Sequence, residues 1–449
     1  MSVYPRNLSN FLNRLSGYNK NNVKMNVLGN LDAKQTDTVQ VDLPTNSIVD
    51  LSSLAWAFRL EYKASGGAHH VDLPINAESI ISRLAVEVNG QTLVNISNYN
   101  VLFHALLYTT ATEDYQRQRK TAQGNTMRGI ANGTSERLQN VATHRDHVID
   151  TWLGFLGSAK PHFIDTSLLG NVRITITLAS GEIIGGDNAG NVRQFALTDQ
   201  KFSIDVVSIS DGIYDAMVDQ MLASGAPIEI PFKNYFTFSQ NNPSMIQITP
   251  FHVASQSVDR LWGIARARDA HGIGTAGYSE ATAQRIATAP AHNLIAYNPP
   301  FFNLETCNGS DFQFQINNTM YPQWSSDMAQ DWWQKTKLAV GDQGNMLAGS
   351  YPQAISQYTK NFFVFAVSLE HRTDGDERFV SGIDTRGAAA SCYFSSKQHP
   401  GTDWNTGLAG NPGLPLNRNA QAVANQTTVF AECTSLLRVM ANKVIEVVQ

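Results

Sequence analysis

Arg83-Leu-Ala-Val-Glu-Val-Asn-Gly-Gln-Thr-Leu-Val-Asn-Ile96 decides the fold class of this chain. Leu84, Val86 and Val88 alternate with Ala85 and Glu87, the period-two pattern of a half-buried β-strand. Asn89-Gly90 supplies the residue pair that tolerates positive φ at both central positions of a type I′ turn. Thr92, Leu93, Val94 and Ile96 then return as a second strand. A strong local hairpin inside a long chain predicts antiparallel sheet.

The same alternation recurs outward from this point. Val39, Val41 and Leu43 stop at Pro44, and Trp56, Phe58, Leu60 and Tyr62 end at Gly66-Gly67. Tyr99 to Tyr108 reads as a helix, and residues 111–147 as a long, partly helical excursion. Val172, Ile174, Ile176 and Leu178 face one way against Arg173, Thr175 and Thr177, a strand filled by β-branched residues. Residues 180–199 read as a Gly- and Asn-rich loop before Phe202, Ile204 and Val206 resume the pattern. A helix capped by Asp211 and closed by Gly225 follows, with Pro227 and Pro231 marking the join between halves.

The second half repeats the order. Strands are predicted at 246–248 and 258–264, and a loop dense in Ala, Gly, His and Pro at 266–300. Asp311 to Pro322 alternates through an Asn317-Asn318 turn, and Trp324–Lys337 reads as helical. Phe362–Leu369 is apolar on both faces, as for a strand covered on both sides. Polar loops fill 371–428, and strands close the chain near Val429–Val439 and Val444–Val448. Leu84–Asn89, Tyr99–Leu107 and Val172–Leu178 thus correspond in order to Phe312–Asn318, Trp324–Lys337 and Phe362–Leu369, as in a duplicated β-domain.

At 449 residues the chain exceeds one ordinary core. Charged residues make up only 16%, beside about 25% in an average soluble domain. The net charge of −5 argues against a chain built to coat nucleic acid. Up to Lys34, five basic residues face a single acid, Asp32, a net +4 that leaves −9 on the remainder. Within that segment Tyr4, Leu8, Phe11, Leu12 and Leu15 have the spacing of a short amphipathic helix. Cys307, Cys392 and Cys433 are too sparse for a disulfide framework or a structural zinc site. No apolar run is long enough for a spanning helix. The N-terminus lacks a secretory h-region, so synthesis inside a cell without secretion is expected.

Chemistry-bearing patterns are weak. His69-His70 and the His144/His147 pair would point to opposite faces of a strand, and no third metal ligand follows. No nucleophile elbow, P-loop or dinucleotide fingerprint occurs, and Gly181 to Gly190 has the wrong spacing for one. Asp374, Asp376 and Glu377 form an acidic turn of the kind that is usually solvated. The expectation is a structural protein with no catalytic, cofactor-binding or metal-binding residues, and not an enzyme.

Several stretches resemble the double jelly-roll major capsid proteins of tailless icosahedral double-stranded DNA viruses, the tectivirus–adenovirus lineage with its virophage and polinton-like members. They are Ile80–Gly90 with Asn98–Leu102, Leu168–Ala179, Ile228–Tyr235, Phe314–Pro322, Ser381–Gly387 and Leu437–Val439. The resemblance implies an all-β fold with short helices in its loops, two eight-stranded antiparallel jelly rolls in tandem. The division expected is a basic arm over 1–34, a first roll over 35–235 and a second over 236–449. It further implies a homotrimer forming a pseudo-hexameric capsomer in the capsid shell of a virion. Neighbouring capsomers, penton and minor or cement proteins would be partners, with no sequence-specific nucleic-acid binding. The arm would lie near an internal membrane or the genome, and loops 266–300 and 371–428 would form towers or clasps. The rival reading is a jelly-roll carbohydrate-binding protein, whose aromatic platform would have to come from Trp324, Trp332 and Trp333. A cupin-like metal enzyme would need three histidines and an acid on the inner sheet face, a set the sequence does not assemble.

Overall fold

The computed structural model describes residues 18–29, 31–64, 70–72, 76–110, 130–131, 134–135, 138–139, 143–183, 185–186, 193–209, 213–225, 227–242, 246–267, 300–302, 304, 306, 309–340, 358–359, 362–370, 382–387, 392–398, 425–440 and 443–449. The predicted helix over residues 4–15, the Asp211 cap, the acidic turn at 374–377 and most of both long loops lie outside them.

In the first half the strands are β1 (Tyr18–Met25), β2 (Thr38–Asp42), β3 (Ile48–Ala64), β4 (Ile81–Val88) and β5 (Gln91–Ser97). Helix α1 (Tyr99–Thr110) follows, then β6 (Thr143–Ile149), β7 (Val172–Leu178) and β8 (Arg193–Ile209). Helix α2 (Ile213–Ala223) leads to the second half: β9 (Ile228–Asn242), β10 (Ile246–Phe251), β11 (Val258–Ala267), β12 (Gly309–Ile316) and β13 (Thr319–Tyr321). Helix α3 (Ala329–Val340), β14 (Phe365–Ser368), β15 (Cys392–Gln398), β16 (Asn425–Val439) and β17 (Ile445–Val448) complete it.

The pairing repeats. One sheet of the first half runs β1-β8-β3-β6 and the other β2-β7-β4-β5. In the second half the orders are β9-β16-β11-β14 and β10-β15-β12-β13, with β17 added to β16. Each strand number in the second half is its first-half counterpart plus eight, so both halves are antiparallel jelly rolls of identical wiring.

The opening hairpin forms as its sequence requires. Val88 pairs with Gln91 across a two-residue turn, and Asn89 and Gly90 have φ of 49° and 80°. Leu84, Val86 and Val88 face the core and are fully buried. Beside them β7 alternates buried and half-buried residues along its whole length. The core of roll 2 is aromatic instead. Phe312 packs on Phe363 with 4.5 Å between centroids, Phe314 on Phe394 at 4.6 Å, and Trp332 meets Phe312 edge-on. A Cβ on Gly263 would come within 2.5 Å of the Phe394 ring, so glycine is what lets the two sheets of roll 2 close there.

Several sequence expectations need correction. Tyr18–Met25, inside the segment assigned to the arm, is the first strand of roll 1 and pairs along β8. Asn19 to Lys24 are all exposed, so no apolar alternation betrays it. Polar contacts hold it: Lys20 Nζ lies 3.1 Å from Asp50 and 2.9 Å from Asp205, and Asn22 donates to Asp205 at 2.7 Å. Strand β9 runs unbroken through the expected boundary at 235/236. Pro231 is tolerated inside it because β9 is an edge strand; its outward carbonyl accepts from Lys160 N of roll 1, so no ladder bond is missing. The excursion predicted over 111–147 ends in β6, the loop over 180–199 contains the start of β8, and β15 lies within the polar 371–428 region. In β15 the third inward position is Ser396, which is buried on Gln247 rather than apolar. The strand equivalent to β7 is therefore β15, whereas Phe362–Leu369 contains β14, the counterpart of β6.

Candidate functional site

Among the described residues, the functional geometry of a two-roll chain is the seam between the rolls and the surfaces it leaves free. Strand β9 carries one side of the seam. Lys160 N donates to Pro231 O at 3.0 Å, Lys233 N to Ser158 Oγ at 2.8 Å, and Thr237 Oγ1 to Ser97 O at 2.8 Å. Asn98 Nδ2 reaches Ser239 Oγ at 3.2 Å. Ile230, Phe232, Trp262, Ile264, Phe430 and Leu437 join the core of roll 1 in one continuous apolar cluster. Leu261, Ala265, Val429 and Ala431 of the same strands face the roll 2 core instead. The β9-β16-β11-β14 sheet is thus apolar on both faces, as the Phe362–Leu369 run predicts.

An ion cluster lies beside the seam. Lys233 Nζ is 2.8 Å from Asp259, 3.3 Å from Glu370 and 3.9 Å from Glu432. Arg260 bridges Glu370 at 3.0 Å and Glu432 at 3.2 Å. Trp262 Nε1 donates to Glu432 at 3.2 Å, while Ser257 and Thr434 each donate to Asp259 at 2.6 Å. Burial pushes the Glu432 carboxyl up, against the pull of Arg260 and Lys233. Burial also opposes charge on Lys233, yet Glu432 and Asp259 together hold its pKa above the ordinary value. A lysine that keeps its proton is no nucleophile; the cluster ties β9, β11 and β16 to one another. Sequence reading missed all five charged residues. Their signal was a charge inside an otherwise apolar strand, at Asp259-Arg260 and at Glu432.

Further along the seam, His104 of α1 is buried 5.1 Å from the Phe302 ring. Burial, with Arg266 nearby, depresses its pKa to about 3. Arg266 is itself buried, donates to Phe301 O at 3.3 Å and is lowered to about 10 by that burial.

The residues singled out in the sequence do not converge. His144 and His147 both sit in β6, and His147 is buried near Phe58. His70 lies in a short strand, His70–Asp72, and His69 is outside the described residues. Among the described residues no group of three or more His, Cys, Asp or Glu is arranged to hold a metal ion. Burial raises both Cys392 and Cys433, the latter to about 12, so neither supplies a thiolate. The three tryptophans do not share a platform: Trp332 is in the core, Trp333 packs edge-on against Tyr358, and only Trp324 is exposed.

No protein-family model and no curated protein sequence matches this chain. Solved structures do. VP54 of PBCV-1, a crystal structure fitted into a reconstruction of the virophage Sputnik, superposes with a TM-score of 0.63 at 12% identity. The match covers 97% of this chain and 98% of that one. The fold is that of the viral major capsid proteins. The Faustovirus major capsid protein has a TM-score of 0.54 at 9% identity, covering 94% and 90% of the two chains. A chain of the Sputnik virophage structure has 0.50 at 12%, covering 96% and 89%. At such identities the likeness establishes the double jelly roll, and function rests on what the molecule is built to do.

Proposed function

We propose that this chain is a structural major capsid protein that assembles as a homotrimer, a pseudo-hexameric capsomer tiling an icosahedral shell in the virion. The observation that carries this reading is the repetition: two jelly rolls of identical strand order, fused through an apolar seam, within one chain. Three such chains present six similar rolls, which suits a sixfold lattice position with a single gene product. Roll 1 spans β1 to β8 and roll 2 spans β9 to β17, with α2 between them. Residues 1–17 carry Arg6 and Arg14 and no acid, a composition suited to an anionic surface inside the shell, membrane or genome. Neighbouring capsomers, penton proteins and minor capsid proteins are the partners this role requires.

Native mass spectrometry and electron microscopy of the purified chain test the reading. Particles of about 150 kDa, three chains of 49.3 kDa, with a hexagonal outline are expected. A species that stays at 49.3 kDa at every concentration sinks it.

A further inference from the structure

Arg266 ties together points of the chain that are far apart in sequence. It sits one residue before the end of β11 and is only 3% exposed. Its Nη1 donates to Phe301 O at 3.3 Å and its Nη2 to Gln426 Oε1 at 2.5 Å. The guanidinium also lies 4.9 Å above the Phe301 ring. One side chain thus braces both ends of the 268–299 connection, at Ala267 and Phe301, and the end of the 399–424 connection, at Gln426. The carboxylate whose field reaches it is Glu182, on the Gly181–Ile183 turn.

His104 completes this junction from the roll 1 side. It is 2% exposed, its ring sits 5.1 Å from that of Phe302, and the imidazole hydrogen-bonds to the Phe302 backbone. The Pro300–Phe302 turn is therefore gripped from two sides, by His104 of α1 and by Arg266 of β11. The elements packed on α1 are the Ala77–Ile80 turn, β4 and α3. They bring Glu78, then Arg83 and Glu87, then Asp331, Lys335 and Lys337, while β11 adds Asp259 and Arg260, both held in the ion cluster. Among the described residues, Arg266 is the charge that acts on the His104 imidazole. A proton on His104 in the closed junction would set a second positive charge beside Arg266 inside an apolar cluster. Exposed to water, the same imidazole takes that proton as soon as the solution turns mildly acidic. What holds the turn is side-chain contact alone, whereas the backbone pairing of β11 with β16 runs from Val258 to Ala267 without either side chain.

We propose that His104 and Arg266 form an acid-sensitive latch on the Pro300–Phe302 turn: acidification releases the turn from α1 and unties Ala267, Phe301 and Gln426 from one another, while the strands of both rolls stay paired. The latch belongs to the single chain and does not depend on the capsomer reading.

Hydrogen–deuterium exchange of the full chain tests it, read by mass spectrometry at pH 7 and pH 5 with labelling times scaled for the slower chemical exchange in acid. An imidazole that titrates at 6.5 when open and at about 3 when closed raises the opening constant about 25-fold between those two conditions. Peptides covering residues 99–110 and 300–304 should lose protection by that factor, and those of β7 should stay unlabelled over the same window. His104→Gln should abolish the acid response. Arg266→Gln, which removes the second charge, should shrink it and decides the matter where His104→Gln does not fold. No acid response in the wild type overturns the latch, and so does β7 exchanging together with the turn, which would mark global unfolding. A full response persisting in His104→Gln, or undiminished in Arg266→Gln, overturns it as well.

Discussion

Roll 1 and roll 2 share one wiring diagram and have unlike interiors. Roll 1 is filled chiefly by Val, Leu and Ile from strands that alternate cleanly, because the outer face of its β1-β8-β3-β6 sheet is polar and half-exposed. Roll 2 is filled by Phe312, Phe314, Phe363, Phe365, Phe394 and Trp332, and its β9-β16-β11-β14 sheet is apolar on both faces. Strand order therefore does not depend on which hydrophobic residues fill the core, provided volume and inward pattern are kept. What differs is what each outer face must meet.

The largest effect should come from the two cores. Phe314→Ala removes a fully buried ring that contacts Phe394, Phe365 and Phe251, at a cost of about 4 kcal/mol. Ile176→Ala in β7 should cost about 3 kcal/mol. Because the seam places residues of both rolls in one apolar cluster, each variant should lower the midpoint of a single urea transition followed by circular dichroism. Two separated transitions, with only the mutated roll lost first, would show that the rolls are energetically independent.

Next in size is the seam. His104 is held neutral at about 3, whereas the same histidine in an unfolded chain takes a proton below 6.5. Its contribution is level above pH 6.5, and stability falls as pH drops from there toward 3. Between pH 6.5 and 5 the loss is about 2 kcal/mol. Glu432 slopes the other way: its raised pKa means the folded chain retains a proton that the unfolded one releases, so its share of stability falls as pH rises past the ordinary value. Comparing the wild type with His104→Gln between pH 5 and 7 isolates the histidine. Identical pH profiles for the two proteins would remove His104 from the seam's energetics.

These contrasts explain what could be read from the sequence. Leu84–Val88, Val172–Leu178 and Phe312–Ile316 were legible because one face is buried and one is not, so residue type alternates with position. Tyr18–Met25 was illegible because Asn19 to Lys24 are exposed on both faces and the strand is fixed by Lys20, Asp50 and Asp205, partners that are distant in sequence. Cys392–Gln398 was lost because Ser396 occupies an inward position through a hydrogen bond to Gln247. The ion cluster at Lys233 depends on pairing between β9, β11 and β16, which no local pattern encodes. The exposed side of α3 was half legible: Trp324 to Lys337 reads as a helix, but which tryptophan is outside is a matter of tertiary packing.

The smallest effect concerns the two turns that the repeat places in equivalent positions. In roll 1, Asn89 and Gly90 both have positive φ, and Asn89 is tied to the start of β7 through Asn89 N to Asn171 O at 2.9 Å. A Cβ on Gly90 would meet nothing within 4 Å, so Gly90→Ala is penalised only by its φ of 80°, about 1 kcal/mol. In roll 2, Asn317 holds a φ of 54° without glycine, since asparagine tolerates the left-handed region. Asn317→Gly relieves that strain but frees the unfolded chain, so its net change should stay within about 0.5 kcal/mol. Urea midpoints for both variants give the comparison. A loss well above 2 kcal/mol for Gly90→Ala would mean the turn is packed rather than merely bent, and no loss at all would mean the hairpin can close through another turn type. The expected ordering, Gly90 above Asn317, follows from one difference: the first roll's turn needs two left-handed residues where the second roll's needs Asn317.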